Sequence, residues 1–188
     1  AMFCLLPVIA ITSIPLIFSL AEYRIKHTPD ALMMQAIEDG SLEEVQMWLR
    51  KGVSPNTTGR PTSKTGLTFW YFRWGKPGWQ DWWSALDVAS TNPAMVRLLL
   101  DNGANPALKE GQSLSSVASE GSIDTLRVYL DYPLSPTTRE AAMCGAVVAD
   151  KKEVIEFLLS KGIPLNGEDA GGRTPLEYAL NAANQKCA

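Results

Sequence analysis

Carboxylate pairs, thiols and one imidazole are the groups in this chain that could do chemistry. Glu43-Glu44 and Glu168-Asp169 place two acids side by side, the minimum for general acid and base work. Adjacent acids in a polar segment are more often a solvated surface than an acid/base pair, and both pairs are read here as surface. The three cysteines, Cys4, Cys144 and Cys187, form no C-x-x-C pair, and the single histidine, His27, has no ligand partners at metal-site spacing. No nucleophile elbow, phosphate-binding loop or glycine-rich dinucleotide turn occurs. These absences argue against an enzyme and predict no metal site, no cofactor and no small-molecule substrate. A net charge of -3 offers no basic face to nucleic acid, so none is expected as a partner. What remains is binding, and the residue types that drive binding are concentrated in one place.

That place is Thr57 to Trp82, where Phe69-Trp70-Tyr71-Phe72-Arg73-Trp74 precedes Gly75-Lys76-Pro77-Gly78 and then Trp79-Gln80-Asp81-Trp82. Five of the six tryptophans fall within fourteen residues, counting Trp83. Aromatic runs on both sides of a Gly-Lys-Pro-Gly turn predict a β-hairpin. Arg60, Lys64, Arg73 and Lys76 against Asp81 give the segment a charge of +3 inside an acidic chain. Two uses compete: the rings pack over neighbouring helices, or they form a protein-binding surface, since Trp, Tyr and Arg dominate interface hot spots. Contact with lipid headgroups and stacking on single-stranded nucleic acid are weaker alternatives, the latter opposed by the acidic remainder.

The elements that would carry this hairpin follow a repeated register. Val45-x-x-Trp48-Leu49-x-x-Gly52 recurs as Val96-x-x-Leu99-Leu100-x-x-Gly103, as Leu126-x-x-Tyr129-Leu130-x-x-Pro133, and as Ile155-x-x-Leu158-Leu159-x-x-Gly162. Each is a short helix with apolar residues at helical spacing and a Gly stop, except for Pro133. A first apolar helix precedes each one. The first pair is predicted over Ala31–Glu38 and Leu42–Lys51, with Met33, Ala36 and Ile37 inward and Leu42, Val45, Trp48 and Leu49 as the second stripe. Later units place Leu86, Val88 and Ala89, then Leu114, Val117 and Ala118, then Met143, Ala146 and Val147 in the first helices. Repeat three runs from Ala107 to about Pro136 and repeat four from Thr137 to Asn166. A fifth unit, Asp169-x-x-Gly172-Arg173-Thr174-Pro175-Leu176-x-x-Ala179, shows one helix and reads as a C-terminal cap.

The register and the Gly-Arg-Thr-Pro-Leu-x-x-Ala segment resemble the ankyrin-repeat family. The resemblance covers Thr28 to Ala188 apart from the insertion. It departs from the family in spacing: Gly103, Pro133 and Gly162 are 30 and 29 residues apart, against about 33 in the family. It implies an all-α solenoid of about 4.5 helix-turn-helix repeats at residues 28–188, with the aromatic hairpin (57–82) inserted between repeats one and two. It also implies a concave face that binds other proteins. The partner-binding residues expected are Phe69, Trp70, Phe72, Arg73, Trp74, Trp79 and Trp82 on the hairpin, and Lys109, Arg139, Glu168, Asp169 and Arg173 on the later turns. The architecture also resembles small bacterial exported or anchored ankyrin proteins, some of which are immunity proteins. One protein partner is therefore expected, a secreted toxin or enzyme such as a phospholipase, with a scaffold subunit of a membrane complex as the alternative.

Residues 1–21 bear on location. Met2–Ala21 carries no charge and just reaches the length that spans a bilayer. A cleaved signal peptide ending at Ser19-Leu20-Ala21, a retained anchor and a buried terminal segment are all compatible with it, and residues 22–27 read as a linker. A signal peptide puts the domain in the periplasm. An anchor tethers it at the inner membrane, and Arg24 and Lys26 then favour a cytoplasmic side. Contact with a membrane through the N-terminus stays open, as does the choice between a Cys144–Cys187 bridge and two unrelated thiols.

Overall fold

The computed structural model describes residues 28–59 and 83–186, with nothing said of the side chains beyond residue 181. The described chain is all-α apart from one two-residue antiparallel ladder. Helices α1 (Pro29–Glu38) and α2 (Leu42–Arg50) precede strands β1 (Thr58–Gly59) and β2 (Trp83–Ser84). Then follow α3 (Ala85–Val88), α4 (Pro93–Asp101), a 3-10 turn (Leu108–Gly111), α5 (Gln112–Glu120) and α6 (Ile123–Leu130). Helices α7 (Pro136–Val148), α8 (Lys152–Ser160) and α9 (Pro175–Lys186) complete the chain.

Local sequence starts and stops these helices. Thr28, Asn92 and Ser135 each accept a hydrogen bond from a first-turn N–H, and the proline that follows each sits where its missing N–H costs nothing. Ser84 and Asp87 form a reciprocal capping box on α3. Gly52, Gly103 and Gly162 take φ of 89°, 87° and 77°, as a left-handed C-cap requires. The next N–H then reaches back to the helix: Val53 to Trp48 O, Ala104 to Leu99 O and Ile163 to Leu158 O. Pro133 has neither the N–H nor access to positive φ. Helix α6 closes with the Asp131 N–H shared between the Arg127 and Val128 carbonyls, as Lys51 closes α2 and Lys161 closes α8, but without the glycine at positive φ that those two helices carry next. The tight bend inside three hairpins repeats too, with Gly40, Gly121 and Asp150 at φ of 72°, 89° and 52°.

The hairpins stack in two layers. In the inner layer α1 packs on α3, α3 on α5, α5 on α7 and α7 on α9; in the outer layer α2 packs on α4 and α4 on α6. The Arg127 guanidinium lies 5.1 Å from the Phe157 ring centre and carries the outer layer on to α8. Between the layers runs a continuous core that includes Met33, Val45, Leu86, Met95, Leu99, Leu114, Leu126, Tyr129, Met143 and Leu158. Each such side chain contributes roughly 1.5–3 kcal/mol by leaving water. A buried polar pin lies within it. The Ser113 hydroxyl donates to Asp87 Oδ1 and the Ser84 N–H donates to Oδ2 at 2.7 Å, tying α5 to α3.

Two expectations need correction. Leu42 was expected to face inward but is 39% exposed, because α2 is the first outer-layer helix described and only its other side is covered by α4. Pro136 does not close the third unit. It is the first residue of α7, capped by Ser135. At the start of the insertion Thr57 is buried, its carbonyl accepts from the Ala85 N–H, and its hydroxyl donates to Asp30 at 2.7 Å. Thr58 and Gly59 pair with Ser84 and Trp83, so both ends of the insertion are held together as the base of a hairpin would be. The aromatic run itself lies outside the described residues. So do Met2–Ala21 and Cys187; among the described residues no helix is long and apolar enough to cross a membrane.

A candidate binding cleft

A cleft of about 560 Å³ opens along the inner layer, over α5, α7 and the start of α9. Its floor is made of small side chains. Ser115, Ser116 and Ser119 come from α5; Ala141, Cys144 and Gly145 come from α7. Gly145 explains how the two helices approach so closely. A Cβ built there would lie 2.2 Å from the Ser115 carbonyl oxygen and 2.6 Å from its hydroxyl oxygen. Only a residue without a side chain lets these backbones meet.

One wall is the 3-10 turn. Lys109 and Glu110 both hold positive φ, 52° and 60°, and Gly111 follows at 80°. Two non-glycine residues in the left-handed region cost of order 1–3 kcal/mol each and persist only where their surroundings hold them. The hold comes from Gly111, which is buried against Thr138 and Ala141 of α7. Lys109 and Glu110 are thereby left exposed on the rim of the cleft.

The opposite wall is the turn before α9. Asp169 was expected to be an exposed acid on a polar rim; it is only 9% exposed. Its Oδ1 accepts from the Gly171 and Arg173 N–H groups at 2.9 and 3.0 Å, and its Oδ2 from the Tyr178 hydroxyl at 2.6 Å. The Arg173 guanidinium sits 3.6 Å from the same carboxylate and 4.6 Å from the centre of the Tyr178 ring. Burial alone would raise the Asp169 pKa, but the hydrogen bonds from Tyr178, Arg173 and Gly171 and the Arg173 charge outweigh it, and the net shift is downward. The Tyr178 phenol moves the other way, up to about 12, through burial and then its bond to Asp169. Asp169 is thus the centre of the turn, and the groups it leaves for a visitor are half-exposed Arg173 and the edge of Tyr178.

Cys144 lies beneath this corner, its sulfur 4.0 Å from the Arg173 carbonyl oxygen. Burial first and the Asp169 charge second push the thiol up to about 11, against the opposing Arg173 charge. It stays protonated and apolar in character near neutral pH. The cleft thus offers hydroxyls, a cation on each wall and a narrow floor, a surface suited to holding an inserted segment.

Of the residues expected at the site, Lys109, Asp169 and Arg173 meet at this cleft although 60 and more residues separate the first from the others. Arg139, on the first turn of α7, and Glu168 are exposed but do not line it. Phe69, Trp70, Phe72, Arg73, Trp74, Trp79 and Trp82 lie outside the described residues. The serines, Cys144, Gly145 and Tyr178 were not anticipated. The one legible signal for the serines was the run Ser115-Ser116-x-x-Ser119, which gives a helix whose core stripe is Leu114, Val117 and Ala118 a small-residue opposite face.

No protein-family model and no curated protein matches the chain.

Proposed function

We propose that the chain is an ankyrin-type stack of about 4.5 helical repeats that acts as a protein-binding module. It captures one protein partner in the cleft between α5, α7 and α9, and blocks that partner's activity, as an immunity protein or inhibitor blocks a secreted toxin or an enzyme such as a phospholipase. One observation carries this reading: the cleft has a floor of small residues and walls of inter-hairpin turns, and the Lys109–Glu110 wall is held in a strained left-handed conformation. Strain of that kind is retained at sites where it presents side chains to a ligand. Support for the stack comes from the two-layer contacts and the recurring left-handed C-caps.

The apolar run Met2–Ala21 supports a second reading, a membrane-tethered scaffold, in which the same cleft holds a subunit of a membrane complex. Copurification of the tagged full chain from its native host, followed by protection assays with any toxin recovered, separates the two. Ser116→Arg fills the cleft and Lys109→Glu reverses the charge of one wall; neither residue is in the core. Both variants are expected to lose the partner at least tenfold in affinity while keeping wild-type stability. Retention of the partner by both would remove the cleft as the binding site.

A further inference from the structure

Asn-Gly occurs twice in the chain, at Asn102-Gly103 and at Asn166-Gly167. The backbone nitrogen that follows an asparagine can close a ring on the side-chain amide carbon, and a glycine there has no Cβ to screen the approach. Both asparagines are exposed, so access of water does not separate them. Their hydrogen bonds do. Asn102 is the C-cap of α4. Its Nδ2 donates to Leu98 O at 2.8 Å, and the Gly103 N–H donates to Leu100 O at 3.0 Å. The helix thus holds both reacting groups, and each bond must break before they can meet. Asn166 lies in the connection between α8 and α9, between the buried residues Ile163 and Asp169. Among the described residues neither its amide nor the Gly167 N–H has a hydrogen-bond partner.

We propose that Asn166 is a site of spontaneous deamidation, and that the C-cap of α4 protects Asn102 from the same change. The Gly167 nitrogen attacks Asn166 Cγ. A Cγ–N bond forms, the Cγ–Nδ2 bond breaks, and the Gly167 proton leaves with Nδ2 as ammonia. Water then opens the cyclic succinimide. Attack at Cγ restores the original main chain and gives aspartate. Attack at the main-chain carbonyl gives isoaspartate, in which the chain runs through Cγ. Neither route needs an oxidant or a reductant. The product changes one wall of the cleft, whatever the cleft holds. A new carboxylate appears two residues before Glu168. It also adjoins a glycine seated on the Glu140 side chain, since a Cβ built on Gly167 would lie 2.6 Å from Glu140 Oε1. Like charges gathered there repel one another. Isoaspartate in addition lengthens the main chain by a methylene, three residues before the Asp169 carboxylate that organises the wall.

The test is timed incubation of the full chain at neutral pH and physiological temperature, followed by mildly acidic tryptic digestion and mass spectrometry. The peptides 98–109 and 162–173 carry one Asn-Gly each. Peptide 162–173 is expected to become a mixture of isoaspartate and aspartate forms at least tenfold faster than peptide 98–109. The same incubation in denaturant removes the cap of α4, and the two rates are then expected to converge. An Asn166 that stays intact, or reacts no faster than Asn102 in the folded chain, overturns the proposal. Aspartate without isoaspartate overturns the ring-closing step, since water has then attacked the amide directly. A gap between the sites that persists in denaturant overturns the protection of Asn102 by its helix.

Discussion

Gly145→Ala puts the packing of the cleft floor to a test in which two effects of opposite sign compete. In an ordinary helix interior the change is favourable by about 0.5–1 kcal/mol, because glycine loses more backbone freedom on folding than alanine. Here the added methyl meets the Ser115 carbonyl oxygen at 2.2 Å and the carbonyl carbon at 2.9 Å, distances below any ordinary contact. The obstacle is backbone, so a rotamer change cannot relieve it, and α5 and α7 must part by roughly 1 Å. Overpacking of this kind costs about 1–3 kcal/mol, and a rigid obstacle places this case in the upper half of that range. The net effect is a loss of about 1–2.5 kcal/mol. For a chain of this size each kcal/mol moves the thermal midpoint by about 2–4 °C, which gives a fall of roughly 2–10 °C. Far-UV circular dichroism against temperature and urea reads it, with Ser116→Ala as a control expected to change little. Midpoints are the quantity to compare, since a stack held by neighbour contacts need not unfold in one step. If Gly145→Ala is as stable as wild type, or more so, the two helices do not touch at this point and the narrow floor of the cleft is wrong.

Two further outcomes follow from the corner beneath Arg173. Asp169→Asn is expected to cost about 1–3 kcal/mol, because a carboxylate that accepts three hydrogen bonds gives way to an amide with one acceptor oxygen. A carboxylate with a depressed folded pKa stabilises the protein above its unfolded pKa and loses that contribution as pH falls through the folded value. Wild type should therefore lose stability below the ordinary aspartate range more steeply than Asp169→Asn, as urea midpoints from pH 7 down to pH 2 would report. Cys144 should alkylate at least about tenfold more slowly than an ordinary thiol near pH 8, since burial raises its pKa to about 11 and the lost thiolate fraction outweighs the gain in intrinsic nucleophilicity. Peptide mapping after timed iodoacetamide treatment resolves it from Cys4 and Cys187; equal labelling of Cys144 would contradict its burial.

The helices were legible because their punctuation is local. A Thr, Asn or Ser before Pro starts α1, α4 and α7, and a glycine at positive φ stops α2, α4 and α8, each fixed by the residue's own conformational limits. Pro133 shows the same logic from the other side, because its ring alone forbids the positive φ that Gly52, Gly103 and Gly162 adopt. The cleft was legible only in part, because its determinants are relations between hairpins. Lys109 and Arg173 could be placed on turns, but not across from each other, since a stack brings turns together by translation that no single segment encodes. Asp169 and Glu168 look alike in sequence. One is closed in by two backbone N–H groups and a tyrosine nine residues on, while the other faces solvent, and a turn's hydrogen bonds decide between them. Gly145 is the sharpest case. Within its own helix it reads as a weakness, and only the carbonyl of Ser115, thirty residues earlier and on another helix, turns the missing side chain into a requirement. Leu159 carries the same lesson in reverse: its register matches that of buried Leu100, yet it is 45% exposed, because among the described residues no outer-layer helix lies beyond α8.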